Sequence, residues 1–331
     1  MTNSDINRIF DRFNHQKVLI IGDVMIDSYL FGNVNRISPE APVPIVAVQK
    51  RTHRLGGAAN VALNIKAMGA KAILCSVIGD DEKANVFLDL MKKRNMTQQG
   101  IIKSKNRITT TKFRIIGNTT QMLRVDEEID SYLNKQDQEE LLERIQSIIV
   151  EKQIDVIIFQ DYDKGVISQT LIKKVLELSA GIPTVVDPKK RNFHHFKNVS
   201  LFKPNLKELR DGINEHFEAH ETDKLHKAVE TLQQDLGCSY FFTTLSEYGV
   251  MISQKTEDNS IKHHHIPAHI RHIADVSGAG DTVISLTALC LAQNLPAEEI
   301  AAISNLAGGL VCEEIGVIPI NKDKLFIELS K

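Results

Sequence analysis

Two glycines and an aspartate lie together shortly before a long apolar stretch. Gly278, Ala279 and Gly280 precede Asp281, and most side chains of residues 283–291 are apolar. This stretch predicts a buried helix, and the first amide groups of a helix have no partner within it and carry partial positive charge. Because glycine has no Cβ, an anion can approach the main chain closely here. The segment therefore predicts an anion-binding site at the start of a helix.

Asp281 places a carboxylate beside the predicted anion. Two interpretations are open: the side chain caps the helix, or it accepts a proton from a hydroxyl group that attacks a bound phosphate. The flanking glycines favour the second interpretation. No lysine accompanies them, as a Walker P-loop would require, and Gly22 does not open a GxGxxG motif. The pattern indicates a phosphate site of another type.

Two further aspartates follow the first predicted strand. Gly22 ends an apolar run, so Asp23 and Asp27 come at the carboxyl edge of the predicted sheet, where open α/β sheets bind ligands. An ionised carboxylate at this edge accepts hydrogen bonds from sugar hydroxyl groups. A role in capping a turn is equally compatible with either residue.

Two more loops contain small or amide side chains. Gly56 and Gly57 allow a ligand to touch the backbone, and Asn60 offers hydrogen bonds to hydroxyl groups; a plain turn with an N-cap is the alternative. Asn205 and Glu208 are three residues apart, which matches a helix capping box and also suits water-mediated contact with Mg²⁺. For this second pair, the residues alone favour the capping box.

The elements that position these residues follow from an alternation of short apolar runs with amphipathic stretches. The runs are predicted strands at 18–22, 72–79, 156–160, 184–187 and 240–244, and the helices are predicted at 82–94, 136–152, 168–180 and 222–236. Such strands are buried on both faces of a parallel sheet that helices cover. We therefore expect one α/β domain over residues 1–331, a three-layer α/β/α sandwich with a mainly parallel sheet.

Two β-rich stretches interrupt this alternation, at about residues 28–50 and 107–126. They predict a small β-sheet appended to the core as a lid. Because successive side chains of a strand alternate between faces, Lys112 and Arg114 are expected on one face and Phe113 on the other. One face of the lid is therefore predicted to be cationic.

Composition narrows the classes of partner. The 331 residues include 40 Lys and Arg against 42 Asp and Glu, a formal net charge of −2. This balance excludes a global basic field for nucleic acid or an anionic membrane, and no uncharged apolar run reaches the roughly 18 residues of a membrane span. The four cysteines form no CxxC pair and residues 1–16 lack a signal-peptide core, so we expect a cytoplasmic protein.

The three histidines at 263–265 are predicted to point to alternating faces and receive no function.

In order and spacing, residues 22–27, 56–60, 205–208 and 275–282 resemble the ribokinase family of carbohydrate kinases. More narrowly, GDVMID (22–27), RISPEAPVP (36–44), GGAANVA (56–62), DYDKG (161–165) and DPK (187–189) resemble the D-glycero-β-D-manno-heptose-7-phosphate kinases of that family. The resemblance implies a ribokinase-like fold and transfer of a phosphoryl group from ATP, with Mg²⁺, to the anomeric hydroxyl. The implied product is heptose 1,7-bisphosphate, used for lipopolysaccharide or related glycans. Without the loop of a nucleotidyltransferase domain, the chain is expected to be a stand-alone kinase.

The resemblance also implies roles for individual residues. Asp281 would be the general base, and the backbone of Gly278, Ala279 and Gly280 would form the anion hole. The sugar would contact Asp27, Gly56, Gly57 and Asn60. The nucleotide would contact Asn205, Ser246, Glu247, Gly249 and Asn305, and Glu208 would hold Mg²⁺ through water. Many relatives carry glycine at the position of Ser246.

A substrate that already bears a phosphate needs cations remote from the reacting hydroxyl. The predicted lid offers Arg36, Lys112, Arg114 and Arg124 for this purpose. The lid is also expected to have free edges and an apolar underside, which predicts a homodimer formed through it.

There are two alternatives to a heptose-phosphate kinase, and only the second differs from it in class. One is a kinase for another sugar or sugar phosphate, and the other is a non-catalytic sugar-phosphate sensor on the same fold. Asp281 and its glycines argue against a sensor, because a binding module needs no base beside the phosphate.

Overall fold

The computed structural model describes residues 2–269 and 272–331, and in these ranges the chain forms thirteen strands and ten α-helices. The strands are β1 (Lys17–Gly22), β2 (Val24–Ile37), β3 (Pro44–Gly57), β4 (Lys71–Gly79), β5 (Ile101–Ser104), β6 (Thr111–Gly117), β7 (Thr120–Glu127), β8 (Val156–Gln160), β9 (Thr184–Asp187), β10 (Leu201–Phe202), β11 (Tyr240–Thr244), β12 (Val250–Lys255) and β13 (Ile261–Ile266). The helices are α1 (Asn3–Phe13), α2 (Ala58–Ala67), α3 (Glu82–Lys93), α4 (Lys135–Lys152), α5 (Gln169–Leu178), α6 (Leu206–Ile213), α7 (Thr222–Leu236), α8 (Ala279–Leu291), α9 (Ala297–Val311) and α10 (Lys322–Leu329).

Nine strands form a large sheet in the order β13-β12-β11-β10-β9-β8-β1-β4-β5. All neighbours from β11 to β5 are parallel, whereas β12 and β13 continue the sheet as antiparallel strands. The residues of β8 are buried throughout, as expected for a parallel strand covered on both faces. The prediction of a mainly parallel sheet is confirmed.

Helices cover both faces of this sheet and enclose two apolar cores. One core packs against α1, α2, α3, α8, α9 and α10, and the other packs against α4, α5, α6 and α7. The α/β/α sandwich is therefore confirmed. None of the helices in the described ranges is long and apolar enough to cross a bilayer.

The predicted bounds agree closely where a pattern is local and strong. β8, β9, β11 and α7 have the predicted bounds, and the apolar stretch after Gly280 forms α8 with every residue from Asp281 to Leu291 buried. β10 was missed because its two residues are too short for a pattern to be visible.

Four strands form a second sheet, the small sheet, in the order β3-β2-β6-β7. β2 pairs with β6 in parallel only from Ile26 to Gly32, so the far ends of β2 and β3 extend beyond it as a two-stranded arm. The hairpin between β6 and β7 turns at Asn118 and Thr119, both with positive φ. Asn and Thr tolerate this conformation less well than glycine. The register of the hairpin also shifts by one residue between Ile115 and Ile116, next to the turn.

Candidate active site

The candidate site lies where the carboxyl ends of β1, β8, β9 and β10 meet the first turn of α8. Asp281 is only 4% exposed there, and Gly278 begins the helix with φ 83°. A residue with a side chain is strained at that φ. A Cβ on Gly278 would also lie 2.9 Å from the side-chain amide nitrogen of Asn60. Glycine at 278 therefore allows both the turn and the close approach of α2.

Three side chains donate hydrogen bonds to the carboxylate of Asp281. The Asn60 amide donates to Oδ2 at 2.8 Å, the Tyr162 hydroxyl donates to Oδ1 at 2.5 Å, and the Gln160 amide donates to Oδ1 at 3.4 Å. Burial raises the pKa of Asp281 to about 6, although the bonds from Asn60 and Tyr162 act in the opposite direction. At neutral pH the carboxylate is therefore ionised and close to the pKa that suits a general base.

The backbone beside Asp281 offers amide groups to an anion. The Ala279 amide donates to Val276 and the Thr282 amide donates to Gly278, whereas those of Gly280 and Asp281 meet no backbone acceptor within the described residues. A Cβ on Gly280 would have no heavy atom nearer than 4.0 Å, so the space beside it is open. Open space next to unpaired amides at a helix start fits a phosphate group.

Asn60 connects this helix start to the predicted sugar-binding loop. The Asn60 side chain is fully buried, and its amide oxygen Oδ1 has no hydrogen-bond partner among the described residues. One turn later, Asn64 accepts a hydrogen bond from Thr282 at 3.0 Å, which ties α2 to α8. An unpaired buried oxygen costs about 1–3 kcal/mol, so a hydroxyl donor from a ligand would be favourable here.

Asp27 lies on β2 and forms a close ion pair with Arg114 of β6. A Cβ on Gly56 would lie 2.1 Å from the Asp27 carboxylate, so glycine is required for β3 to pass this side chain. The structure therefore brings Asp27, Gly56 and Arg114 together. The guanidinium of Arg114 compensates the charge of the buried Asp27 carboxylate.

Three of the four predicted phosphate-binding cations lie on one face of the small sheet. Lys112 and Arg114 alternate along β6, and Arg124 lies opposite Arg114 on β7, where it pairs with Asp126 at 3.0 Å. Burial lowers the pKa of Lys112, although Asp126 opposes the shift. Arg36 does not lie with these three cations of the same chain. It is exposed on β2, nine residues beyond Asp27, and nine residues span roughly 30 Å along a strand.

Asn205 and Glu208 form a reciprocal capping box at the start of α6. The Glu208 amide donates to the Asn205 side chain and the Asn205 amide donates to the Glu208 carboxylate, each at 2.8 Å. The other carboxylate oxygen of Glu208 forms a close ion pair with Lys189. Because both carboxylate oxygens of Glu208 already accept hydrogen bonds, Asn205 and Glu208 fit contact with Mg²⁺ through water molecules rather than direct coordination of the ion.

Two of the predicted nucleotide-binding residues, Gly249 and Asn305, contact the segment that follows β13. Ser246 and Glu247 are exposed in the turn after β11, and Gly249 ends this turn with φ 86°. A Cβ on Gly249 would lie 2.1 Å from the Ile266 carbonyl oxygen. From the other side, the Asn305 amide of α9 donates to the Pro267 carbonyl at 2.8 Å.

Sequence reasoning gave no role to several residues that contact the site, although the quoted motifs include Tyr162, Asp187 and Lys189. Tyr162 and Gln160 reach Asp281 from β8 and the loop after it, and Asp187 at the end of β9 pairs with the buried Lys203 at 3.0 Å. Lys189 lies over the Tyr162 ring, with its nitrogen 5.8 Å from the ring centroid. The usable signal was position, since each of these residues ends or shortly follows a parallel strand.

The three adjacent histidines point to alternating faces, as predicted. His263 and His265 face α7, where His226 lies with its ring stacked on that of His263 at 4.0 Å, and His264 lies on the other face. No group of three or more metal-ligating side chains converges in the part of the chain that the structure describes.

Comparisons with known proteins agree with this geometry. The chain is 37% identical to the bifunctional protein HldE of Methylobacillus flagellatus, over its whole length and 67% of that protein. It is 36% identical to the bifunctional protein HldE of Helicobacter pylori strain P12, over 96% of this chain and 67% of that one.

Solved structures share the fold at low sequence identity. Phosphofructokinase-2 from Escherichia coli, in complex with potassium, has a TM-score of 0.78 at 19% identity and covers 96% of this chain and 99% of its own. Ribokinase from Thermotoga maritima has a TM-score of 0.66 at 19% identity over 95% of this chain and 99% of its own. These matches confirm the expected ribokinase-like fold.

The family assignment rests on almost the whole chain. Residues 15–324 match the family described as pfkB family carbohydrate kinase. The protein is thus a carbohydrate kinase, which implies ATP as the phosphoryl donor. The family resemblance found in the sequence is confirmed, and the chain belongs to the pfkB family of carbohydrate kinases.

Proposed function

We propose that this kinase phosphorylates the anomeric hydroxyl of D-glycero-β-D-manno-heptose 7-phosphate and forms heptose 1,7-bisphosphate. The observation that carries the proposal is a buried, ionised carboxylate directly beside unpaired helix-start amides, under a small sheet with three clustered cations. The heptose motifs of the sequence and the 36–37% identity to proteins named HldE support the substrate. The product would feed the synthesis of nucleotide-activated heptose for lipopolysaccharide or related glycans.

In the proposed reaction, Asp281 accepts the proton of the anomeric hydroxyl. The freed oxygen then forms a bond to the γ-phosphorus of ATP, the bond from that phosphorus to the bridging oxygen breaks, and ADP leaves. The amides of Gly280 and Asp281 donate hydrogen bonds to the transferring group, whose charge is spread over its oxygens. Asn60 and Asp27 orient the sugar, so catalysis is mainly positioning and electrostatic stabilisation.

The nucleotide is proposed to lie between the turn at 246–249 and α9. Glu208 and Asn205 would hold the water shell of Mg²⁺, which supplies positive charge to the phosphates when bound. Lys189 pairs with Glu208 at the same place and adds a cation to which sequence reasoning gave no role.

A substrate panel tests the proposed reaction. With ATP and Mg²⁺, we expect kcat/KM for D-glycero-β-D-manno-heptose 7-phosphate to exceed that for ribose by about 10²-fold or more, because ribose brings no phosphate to the cations of the small sheet. Product mass and phosphorus NMR identify the new anomeric phosphate. Preference for ribose would contradict the substrate, and binding without ATP turnover on any sugar would indicate a sensor.

The role of Asp281 is tested with Asp281→Asn. We expect kcat to fall about 10²- to 10⁴-fold because the amide cannot accept the proton. The melting temperature and the Kd for ATP should stay close to wild type, since the amide has almost the same shape. A near-wild-type kcat would refute the role of Asp281 as general base.

We further propose that the small sheet acts as a lid over the sugar and that Lys112, Arg114 and Arg124 bind its 7-phosphate. Arg114 already pairs with Asp27, so one side chain would link the sugar-binding carboxylate to the phosphate end. A phosphate dianion is recognised best by several guanidinium and ammonium donors.

Lys112→Ala provides the cleaner test of this phosphate site, because Arg114→Ala also leaves Asp27 unpaired. We expect the KM for heptose 7-phosphate to rise about tenfold or more with the loss of a charge-assisted hydrogen bond, while the KM for ATP barely changes. Arg51→Ala is the matched control, because Arg51 pairs with Leu30 of β2 and points to the opposite face of the small sheet. Equal increases in KM for both substrates would reject the assignment.

A homodimer through the small sheet is also proposed. The face opposite the cations carries Phe113 and Ile115 of β6 across from Val125 and Leu123 of β7, which are 42% and 53% exposed. The edge strand β7 has unpaired backbone groups on its outer side. An apolar face with a free edge is typical of association with a second copy.

Light scattering at micromolar concentration tests the dimer. We expect twice the mass of one chain for the wild type and a monomer for Leu123→Glu, because a carboxylate at the centre of the apolar face would be buried without a partner. A monomeric wild type, or a dimer that Leu123→Glu leaves intact, would contradict this interface.

A further inference from the structure

Tyr162 occupies a place in the site for which neither the sequence motifs nor the proposed reaction gives a role. It is the second residue after β8, and its hydroxyl donates to Oδ1 of Asp281 at 2.5 Å. At this distance the hydrogen bond is short and assisted by the charge of the carboxylate. The acceptor is the same carboxylate that we propose as the general base.

A buried carboxylate, Asp23, holds the loop that carries Tyr162. Asp23 is 1% exposed and accepts hydrogen bonds from the amides of Tyr162 at 2.8 Å, Lys164 at 3.2 Å and Val166 at 3.0 Å. On the other side of the loop, Asp161 accepts hydrogen bonds from the Asn192 side chain and the Asp163 amide. The phenol is therefore directed at Asp281 by a backbone with little freedom to move.

The groups that face Asp281 come from four elements besides α8. Three side chains donate to it: Asn60 of α2, Gln160 of β8 and Tyr162 of the loop after β8. The ion pair between Asp187, at the end of β9, and Lys203, directly after β10, contributes one negative and one positive charge. Burial and Asp187 favour the protonated acid, and Asn60, Tyr162 and Lys203 favour the carboxylate. The two short donors, Asn60 and Tyr162, are thus the main local opposition to protonation.

Tyr162 can serve only as a donor in this position. Burial and the neighbouring Asp281 and Asp187 carboxylates raise the pKa of its phenol well above the ordinary value, so the hydroxyl keeps its proton. Each carboxylate oxygen has two lone pairs. Oδ1 already accepts from Tyr162 and Gln160, whereas Oδ2 accepts only from Asn60, so Oδ2 can take the sugar proton while the phenol remains bound to Oδ1. The tyrosine therefore does not have to leave for the reaction to occur.

We propose that Tyr162 is a positioning residue of the phosphoryl transfer: its hydroxyl keeps the carboxylate of Asp281 ionised and oriented toward the acceptor. This inference rests on the proposed function, because it requires Asp281 to act as the base. Asp23 extends the arrangement by fixing the loop that delivers the phenol.

The test is Tyr162→Phe, which removes one oxygen atom and preserves the ring. The loss of this donor should raise the pKa of Asp281 by about one pH unit, so the acid limb of kcat/KM moves to higher pH by the same amount. The carbon-13 signal of the Asp281 carboxyl group, assigned by comparison with Asp281→Asn, should titrate with the same shift in the free protein. The KM for ATP should remain unchanged.

Tyr240→Phe is the matched control, because Tyr240 lies at the start of β11 and its hydroxyl accepts a hydrogen bond from Gln254 at 3.3 Å and does not contact Asp281. It should leave both the acid limb and the carboxyl titration at their wild-type positions. The inference is overturned if Tyr162→Phe titrates like wild type, or if the two variants shift equally. Failure of this inference can be told apart from failure of the proposed function. Full activity of Asp281→Asn would show that Asp281 is not the general base, and that result does not depend on Tyr162→Phe.

Discussion

The burial of one ionised carboxylate at a helix start is the constraint on which the site depends. Asp281 is almost inaccessible to water, so its charge requires donors from the protein. The two short donors, Asn60 and Tyr162, come from α2 and from the loop after β8, which must both converge on the first turn of α8. The parallel sheet provides this convergence, because its strands end at one edge and its connections return there.

Three other carboxylates of the site form ion pairs with neighbouring cations. Asp27 pairs with Arg114, Asp187 with Lys203, and Glu208 with Lys189. A lone buried charge would cost several kcal/mol, so each pair stabilises its own members. In the proposed function, a phosphorylated sugar and a nucleotide would bring hydroxyl groups and anions that can exchange partners with these pairs.

In the proposed function, the two sheets have different roles. The large sheet and α8 carry the groups that would face the transferring phosphoryl group, and the small sheet carries cations on one face and apolar side chains on the other. Since alternate residues of β6 supply both faces, one short strand links substrate recognition to the proposed association of two chains. The arm formed by the far ends of β2 and β3 reaches beyond the rest of the small sheet and carries Arg36 at its end.

The sequence by itself determined the local elements and the chemistry of the helix start. Apolar runs and helical periodicity predicted β8, β9, β11 and α7 with their observed bounds, and the glycines before Asp281 indicated the anion site, because these signals lie within a few neighbouring residues. Only the tertiary structure decided which distant side chains meet. Asn60 and Asp281 are 221 residues apart in the chain, Tyr162 and Asp281 are 119 apart, and Arg36 is separated from the cations with which it was grouped. Local patterns specify which face of an element is buried but not what packs against it, so such contacts depend on how the whole sheet is assembled.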